Sequence, residues 1–147
     1  MLSNASKYAV KAMLFLMLHA TDKNKIGAKV IAKELDIPEP FLAKLLQQLV
    51  RSQFLSSTKG PKGGFYISKE NAQNNVCDIL TLIDGQELFN ECFMKLDKCD
   101  EQNPCPVHHI VADFKESLYK KFKAQNLKQF AEEIDVNTKF LEVKTDR

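Results

Sequence analysis

"IAKELDIPEPFLAKLLQQLVRSQFLSSTKGPKGGFYIS", residues 31–68, holds two helical patterns followed by a glycine-rich turn between two strand-like runs. The first pattern begins at Gly27 and carries Val30, Ile31 and Leu35 on a short helix. "DIPEP" interrupts it, because proline removes a donor and restricts the residue before it. A second helix follows, with Phe41, Leu42, Leu45, Leu46 and Leu49 facing inward and Lys44, Gln47, Gln48 and Arg51 elsewhere. Pro40 suits its first turn, where the missing N–H has no intrahelical partner. Then Phe54 to Thr58 and Phe65 to Ser68 lean towards strand and flank "KGPKGG", a basic hairpin tip. Helix, tight turn, helix and basic hairpin is the order of a winged helix-turn-helix. A phosphate-binding loop fails as the rival, since no Lys-Ser/Thr ending leads from these glycines into a helix.

Upstream, Ser3 or Asn4 caps a helix running to about Ala20, with Tyr8, Met13, Leu14, Met17 and Leu18 as its apolar stripe. Downstream, "NNVCDILTLIDG" (74–85) reads as a helix that closes a first module over residues 1–85. Residues 86–105 form an irregular cysteine-rich loop. From Pro106 a long helix over 106–125 places Val107, Ile110, Val111, Phe114, Leu118 and Phe122 along one face. Such a stripe wants a partner: its own copy in a homodimer, or, failing that, its own domain. Residues 126–147 read as a C-terminal tail with one amphipathic stretch, "LKQFAEEI". The expected fold is mainly α: a winged helix-turn-helix domain plus a long dimerisation helix.

The net charge of +2 conceals an asymmetry. Residues 1–69 hold 11 Lys or Arg against 4 Asp or Glu, while 70–147 hold 10 against 15. A basic front half points to a polyanion, here double-stranded DNA. In the major groove the N-terminal part of the second helix meets base edges, which makes Pro38, Glu39, Pro40, Ala43 and Lys44 the candidates, with Gln47 further along. Lysine can donate to guanine or to phosphate, and glutamine can read adenine. Lys59 and Lys62 stand at the wing tip, where glycines let the backbone approach the minor groove or its phosphates. Lys7 and Lys11 before "AMLFLMLHA" superficially resemble a secretory leader, but the apolar positions continue a helical pattern and no small-x-small cleavage site follows. No apolar run approaches the roughly 18 residues of a membrane span. A cytoplasmic protein is expected.

"CFMKLDKCDEQNPCPVHH" (92–109) concentrates three of the four cysteines and two of the three histidines. Clustered cysteines in a reducing compartment are more often ligands or sensors than staples. The spacing Cys92-x6-Cys99-x5-Cys105-x2-His108 is wider than the paired knuckles of structural zinc sites. It suits a loop wrapped around an iron–sulfur cluster, which thiolates hold and imidazole can share. Zinc or another single ion, and a reversible disulfide without metal, stay open. Cys105 reads as the cap of the long helix, with His108 on the same end and His109 about 100° away as the poorer ligand. Cys77, at the start of an apolar helix, reads as core. An enzyme is not expected: there is no C-x-x-C redox pair and no carboxylate–histidine constellation.

Together "SKYAVKAML", "IAKELDIPEPFLAKLLQQL", "STKGPKGGFYIS" and the loop ending "NPCPVHHI" resemble the Rrf family of winged-helix regulators over about residues 1–125. The resemblance implies a homodimer whose long helices cross and whose winged helices meet the halves of a palindromic operator. It further implies a repressor controlled by an iron–sulfur cluster that senses cluster status, redox state or nitric oxide. IscR-like members bind a 2Fe-2S cluster through three cysteines and a histidine just beyond the last, which carry over to Cys92, Cys99, Cys105 and His108. The first cysteine interval is one residue longer here. NsrR-like members use a 4Fe-4S cluster with a carboxylate near the start of the partner's first helix. This chain has Tyr8 in that neighbourhood and no acid before Asp22, so 2Fe-2S is preferred over 4Fe-4S. CymR-like members lack the cysteine triplet. Ala43 stands where IscR has an acidic residue that helps choose among operators.

Overall fold

The computed structural model describes residues 2–135. Helix α1 (Asn4–His19) runs through the centre of the molecule. Ser3 caps it, its Oγ accepting the Ser6 N–H at 3.0 Å, and the Ser3 backbone N–H donates to Asp84 Oδ2 at 3.0 Å. Ala9, Ala12, Met13, Phe15 and Leu16 are fully buried and form the floor on which the other helices pack. Burying each large side chain contributes about 1.5–3 kcal/mol.

Helices α2 (Ala28–Leu35) and α3 (Glu39–Arg51) meet at a tight turn. Asp36 adopts left-handed φ 55°, and the Ile37 N–H closes the turn on Ala32 O at 2.9 Å. Leu42, Leu45, Leu46 and Leu49 point inward as the periodicity requires. Phe41 and Val30 do not: they are 40% and 50% exposed. Each sits at the edge of its helix's stripe, so the centre of the stripe is buried in its place. Phe41 still stacks edge-on against Tyr8, with centroids 5.7 Å apart.

Strands β1 (Ser56–Thr58) and β2 (Gly64–Tyr66) pair antiparallel with Ser57 opposite Phe65. Ile26 adds a third rung, exchanging backbone hydrogen bonds with Phe65 at 2.8 and 3.0 Å. Gly64, at φ 143°, lies so close that a Cβ there would come within 2.8 Å of the Ile26 carbonyl carbon. A short helix, α4 (Lys69–Ala72), follows the hairpin, capped reciprocally by Ser68 and Asn71.

Helix α5 (Val76–Asp84) packs against α1, then leads through a 3-10 turn (Gln86–Phe89) into the cysteine loop. Helix α6 (His108–Ala124) returns along α5. None of its residues is buried, and Ile110 and Phe114 are 75% and 56% exposed. The amphipathic stretch read within the C-terminal segment is α7 (Leu127–Asp135). Its Leu127 and Ala131 join the same core as α1, so the first module is closed by residues far along the chain. The rest of the tail, 136–147, lies outside the described residues. No helix among those described is long and apolar enough to cross a membrane.

Candidate metal centre and nucleic-acid interface

The loop brings Cys92, Cys99 and Cys105 together, with all three sulfurs within 4.8 Å of one another. Cys92 Sγ and Cys105 Sγ are 3.9 Å apart, and His108 Nδ1 lies 3.4 Å from Cys99 Sγ. Local backbone makes this convergence. The Lys95 N–H returns to Cys92 O at 2.9 Å, with Lys95 itself at φ 56°. Asp100 then folds the next turn, its Oδ1 accepting the Gln102 and Asn103 N–H groups at 2.8 and 2.7 Å. Asn103-Pro104 delivers Cys105, whose N–H donates to Cys99 Sγ at 3.4 Å.

Helix α6 starts at His108 rather than at Pro106. A preceding turn, with His108 N–H on Cys105 O at 3.0 Å, takes the place expected for Cys105 as the cap. His108 is partly buried beside the sulfurs, while His109 is exposed and meets His108 only edge-on, centroids 5.2 Å apart. Cys77 is buried in α5, as expected of a core residue.

Two of the three thiols are displaced from their ordinary range, in opposite directions. A hydrogen bond from the Leu96 backbone, helped by Met94 and by the Cys99 and Cys105 thiols, brings the Cys92 thiol down to about 7. The Cys105 amide favours the Cys99 thiolate too, but burial and the competing Cys105 and Cys92 sulfurs outweigh it and push Cys99 up. Burial also pushes up the thiol of Cys77. A cleft of about 690 Å³ adjoins the cysteines, running between α5 and α6 and lined in part by Cys77, Phe89, Val111, Lys115 and Tyr119.

Three thiols and an imidazole are the donor set that zinc, single iron and iron–sulfur clusters take. Sulfurs bound tetrahedrally at 2.3 Å to one ion stand about 3.8 Å apart, close to the spacing here. A cluster with ligands on two irons asks the same loop to spread.

Pro38, Glu39, Pro40, Lys44 and Gln47 are exposed along the first part of α3, with Ala43 half-buried among them. Gln48, the neighbouring glutamine, turns away and donates to Leu82 O at 3.4 Å. Lys59 and Lys62 are exposed at the hairpin tip, where Gly60 holds φ 102° and its carbonyl accepts the Gly63 N–H at 2.9 Å. Lys25, which the sequence reading passed over, stands 5.5 Å above the Tyr66 ring on the wing. Of the α6 stripe, Ile110 and Phe114 face outward, while Val107, Val111, Leu118 and Phe122 are half-buried. The Phe122 ring lies between those of Phe89 and Phe130, at 6.5 and 6.2 Å.

Residues 2–133 match the family model Rrf2, described as an iron-dependent transcriptional regulator. A protein of Aquifex aeolicus that carries the name of an HTH-type transcriptional regulator is 34% identical over 128 residues, 86% of this chain and 88% of that protein. The IscR regulator of Yersinia pestis is 27% identical over 117 residues, 80% of this chain and 70% of its own length. Among solved structures, CymR of B. subtilis, the global cysteine regulator, superposes with a TM-score of 0.70 at 16% identity, covering 90% of this chain and 97% of its own. IscR of T. potens gives 0.64 at 22% identity, covering 90% and 87%. Both superpositions concern the fold. With the helix-turn-helix, the wing and a family match over residues 2–133 in hand, the chain belongs to the Rrf2 family and is a DNA-binding transcriptional regulator, not an enzyme.

Proposed function

We propose that this protein is a homodimeric regulator, and a repressor, whose binding to a palindromic operator is controlled by an iron–sulfur cluster on Cys92, Cys99, Cys105 and His108. The observation that carries the reading is the convergence of three thiols and one imidazole at the foot of α6. The iron-dependence in the family description and the likeness to IscR proteins favour iron over zinc. Of the two cluster types, 2Fe-2S is preferred, because an imidazole already stands at the fourth position. Loading spreads the loop from its present sulfur spacing. Since His108 is the first residue of α6, the spread is passed to the helix that sets the distance between the two recognition helices. Half-sites lie roughly 34 Å apart, so a small shift costs much affinity. Contacts to DNA come from the exposed end of α3, Pro38 to Gln47, and from Lys59 and Lys62 on the wing.

The short approach of Cys92 to Cys105 favours a second reading, a disulfide switch without metal. Likeness in fold to the oxidised form of Staphylococcus aureus CymR is compatible with it. One experiment separates the two: iron, sulfide and zinc analysis with an absorption spectrum on anaerobically purified protein, repeated for His108→Ala. Iron and sulfide near two per subunit, with a spectrum altered by the substitution, are the expected result. Absence of iron after reconstitution, with a Cys92–Cys105 bond on oxidation, would install the thiol switch. Equal operator affinity with and without the cluster would sink control by the cluster and leave a plain repressor.

A further inference from the structure

Asn71 is 7% exposed, one of two buried polar residues among those described, and its side chain joins three parts of the DNA-binding module. Its Oδ1 accepts the Ser68 N–H at 3.0 Å and the Ser56 hydroxyl at 2.6 Å. Its Nδ2 donates to Gln53 O at 2.8 Å, and its backbone N–H donates to Ser68 Oγ at 3.1 Å. Gln53 lies two residues past the end of α3, Ser56 opens β1, and Ser68 follows the return strand. One amide therefore holds the exit of the recognition helix and both legs of the wing.

The chemistry admits only a carboxamide. Two acceptances at one end and a donation at the other fix which end is oxygen. Aspartate keeps the acceptor and loses the donor, setting a charge against the Gln53 carbonyl; alanine and serine do not reach. Gln53 itself turns through left-handed φ 64°, which aims its carbonyl at Asn71 and, at 3.3 Å, at the Asn74 Nδ2. A bend at this point has leverage. From Ser56 to Gly60 at the hairpin tip, four residues span at most about 13 Å when extended, so a rotation of about 15° at the base moves the tip by up to about 3 Å, the length of a hydrogen bond.

We infer that Asn71 is a positioning residue for DNA recognition: it sets the angle between α3 and the wing, and so the register at which Lys59 and Lys62 meet phosphates while α3 lies in the groove. The inference rests on the reading that both α3 and the wing touch DNA. Its test uses the full-length protein, a DNA fragment selected in vitro for binding to it, and fluorescence anisotropy across a salt series. Asn71→Asp, Asn71→Ala, the pair Lys59→Ala/Lys62→Ala, and each Asn71 variant combined with that pair are compared, with thermal melts to confirm folding. Asn71→Asp is expected to lose about tenfold in affinity and to flatten the salt dependence as the lysine pair does. Added to Asn71→Asp, the lysine pair should then cost far less than it does alone. Full additivity overturns the inference. Should the lysine pair alone change nothing, the wing reading is what fails, and hydrogen exchange then judges Asn71. Faster exchange in Asn71→Asp confined to residues 56–68 supports the positioning role, whereas uniform or absent change overturns it.

Discussion

At Cys92 and Cys77 the same side chain meets opposite surroundings. Backbone and thiol donors around Cys92 bring it down to about 7, so its thiolate fraction rises through neutral pH; burial holds Cys77 in the neutral form. In chelator-treated protein, iodoacetamide is expected to modify Cys92 first, with a rate that climbs between about pH 6 and pH 8 and then levels. Cys77 should stay unmodified until the chain unfolds, and peptide mass spectrometry reads both. Labelling of Cys77 before Cys92 would contradict the packing described. Gly64 offers a second residue-scale test. With φ 143° and Ile26 in the way, Gly64→Ala is expected to cost about 1–3 kcal/mol in a denaturant melt, while Gly27→Ala, with open space around it, should cost far less. Crowding and spacing brought out Cys92, Cys99, Cys105 and His108, which the fold does bring together, and the apolar helix around Cys77 brought out its core character. Asn71 escaped notice for the converse reason: an asparagine between two polar runs looks like any turn residue, and only the folded backbone brings Gln53 and Ser56 to it.

Among the elements, α6 and α7 divide their roles: α6 keeps its stripe open, as expected of a helix awaiting a second copy, while α7 joins the core. The longer helix has the longer apolar stripe, yet none of its residues is buried; the shorter one puts Leu127 at 1% exposure into the core. Leu127→Ala is therefore expected to destabilise the fold by about 2–5 kcal/mol, measured by urea unfolding, whereas Ile110→Ala should leave the subunit's own stability nearly unchanged. The period-3.6 signal of α2, α3 and α5 was legible because each is amphipathic against one core, whereas α1 is buried without a break from Ala12 to Leu16 and leaves Tyr8, Met17 and Leu18 of its expected stripe only half-buried. "LKQFAEEI" has the same period, but no feature of the sequence says which surface it covers. Likewise, α6 begins two residues later than Pro106 suggested, because the Cys105 carbonyl is used by a separate turn before the helix proper. Capping by Ser3 was foreseeable from residue type; its tie to Asp84, at the end of α5, was not.

For the whole molecule, the exposed Ile110 and Phe114 and the basic α3 and wing define two separate surfaces. Phe114→Glu is expected to yield monomers in analytical ultracentrifugation and to lose cooperative operator binding, with helix content preserved by circular dichroism. A dimer that survives this change would move the interface elsewhere. Lys44, Lys59 and Lys62 are all exposed, so if they meet phosphates as proposed, log affinity should fall steeply with log salt, and removing the two wing lysines should lessen the slope by about two. The arrangement of α7 has one further consequence, for synthesis. The core that supports α3 cannot close until Leu127 and Ala131 have left the ribosome, by which time the whole cysteine segment has already emerged. A nascent chain thus exposes Cys92, Cys99 and Cys105 before the helical core beside them is complete, and a pause in synthesis while Leu127 is still inside the exit tunnel would present thiols on a module still missing its last wall.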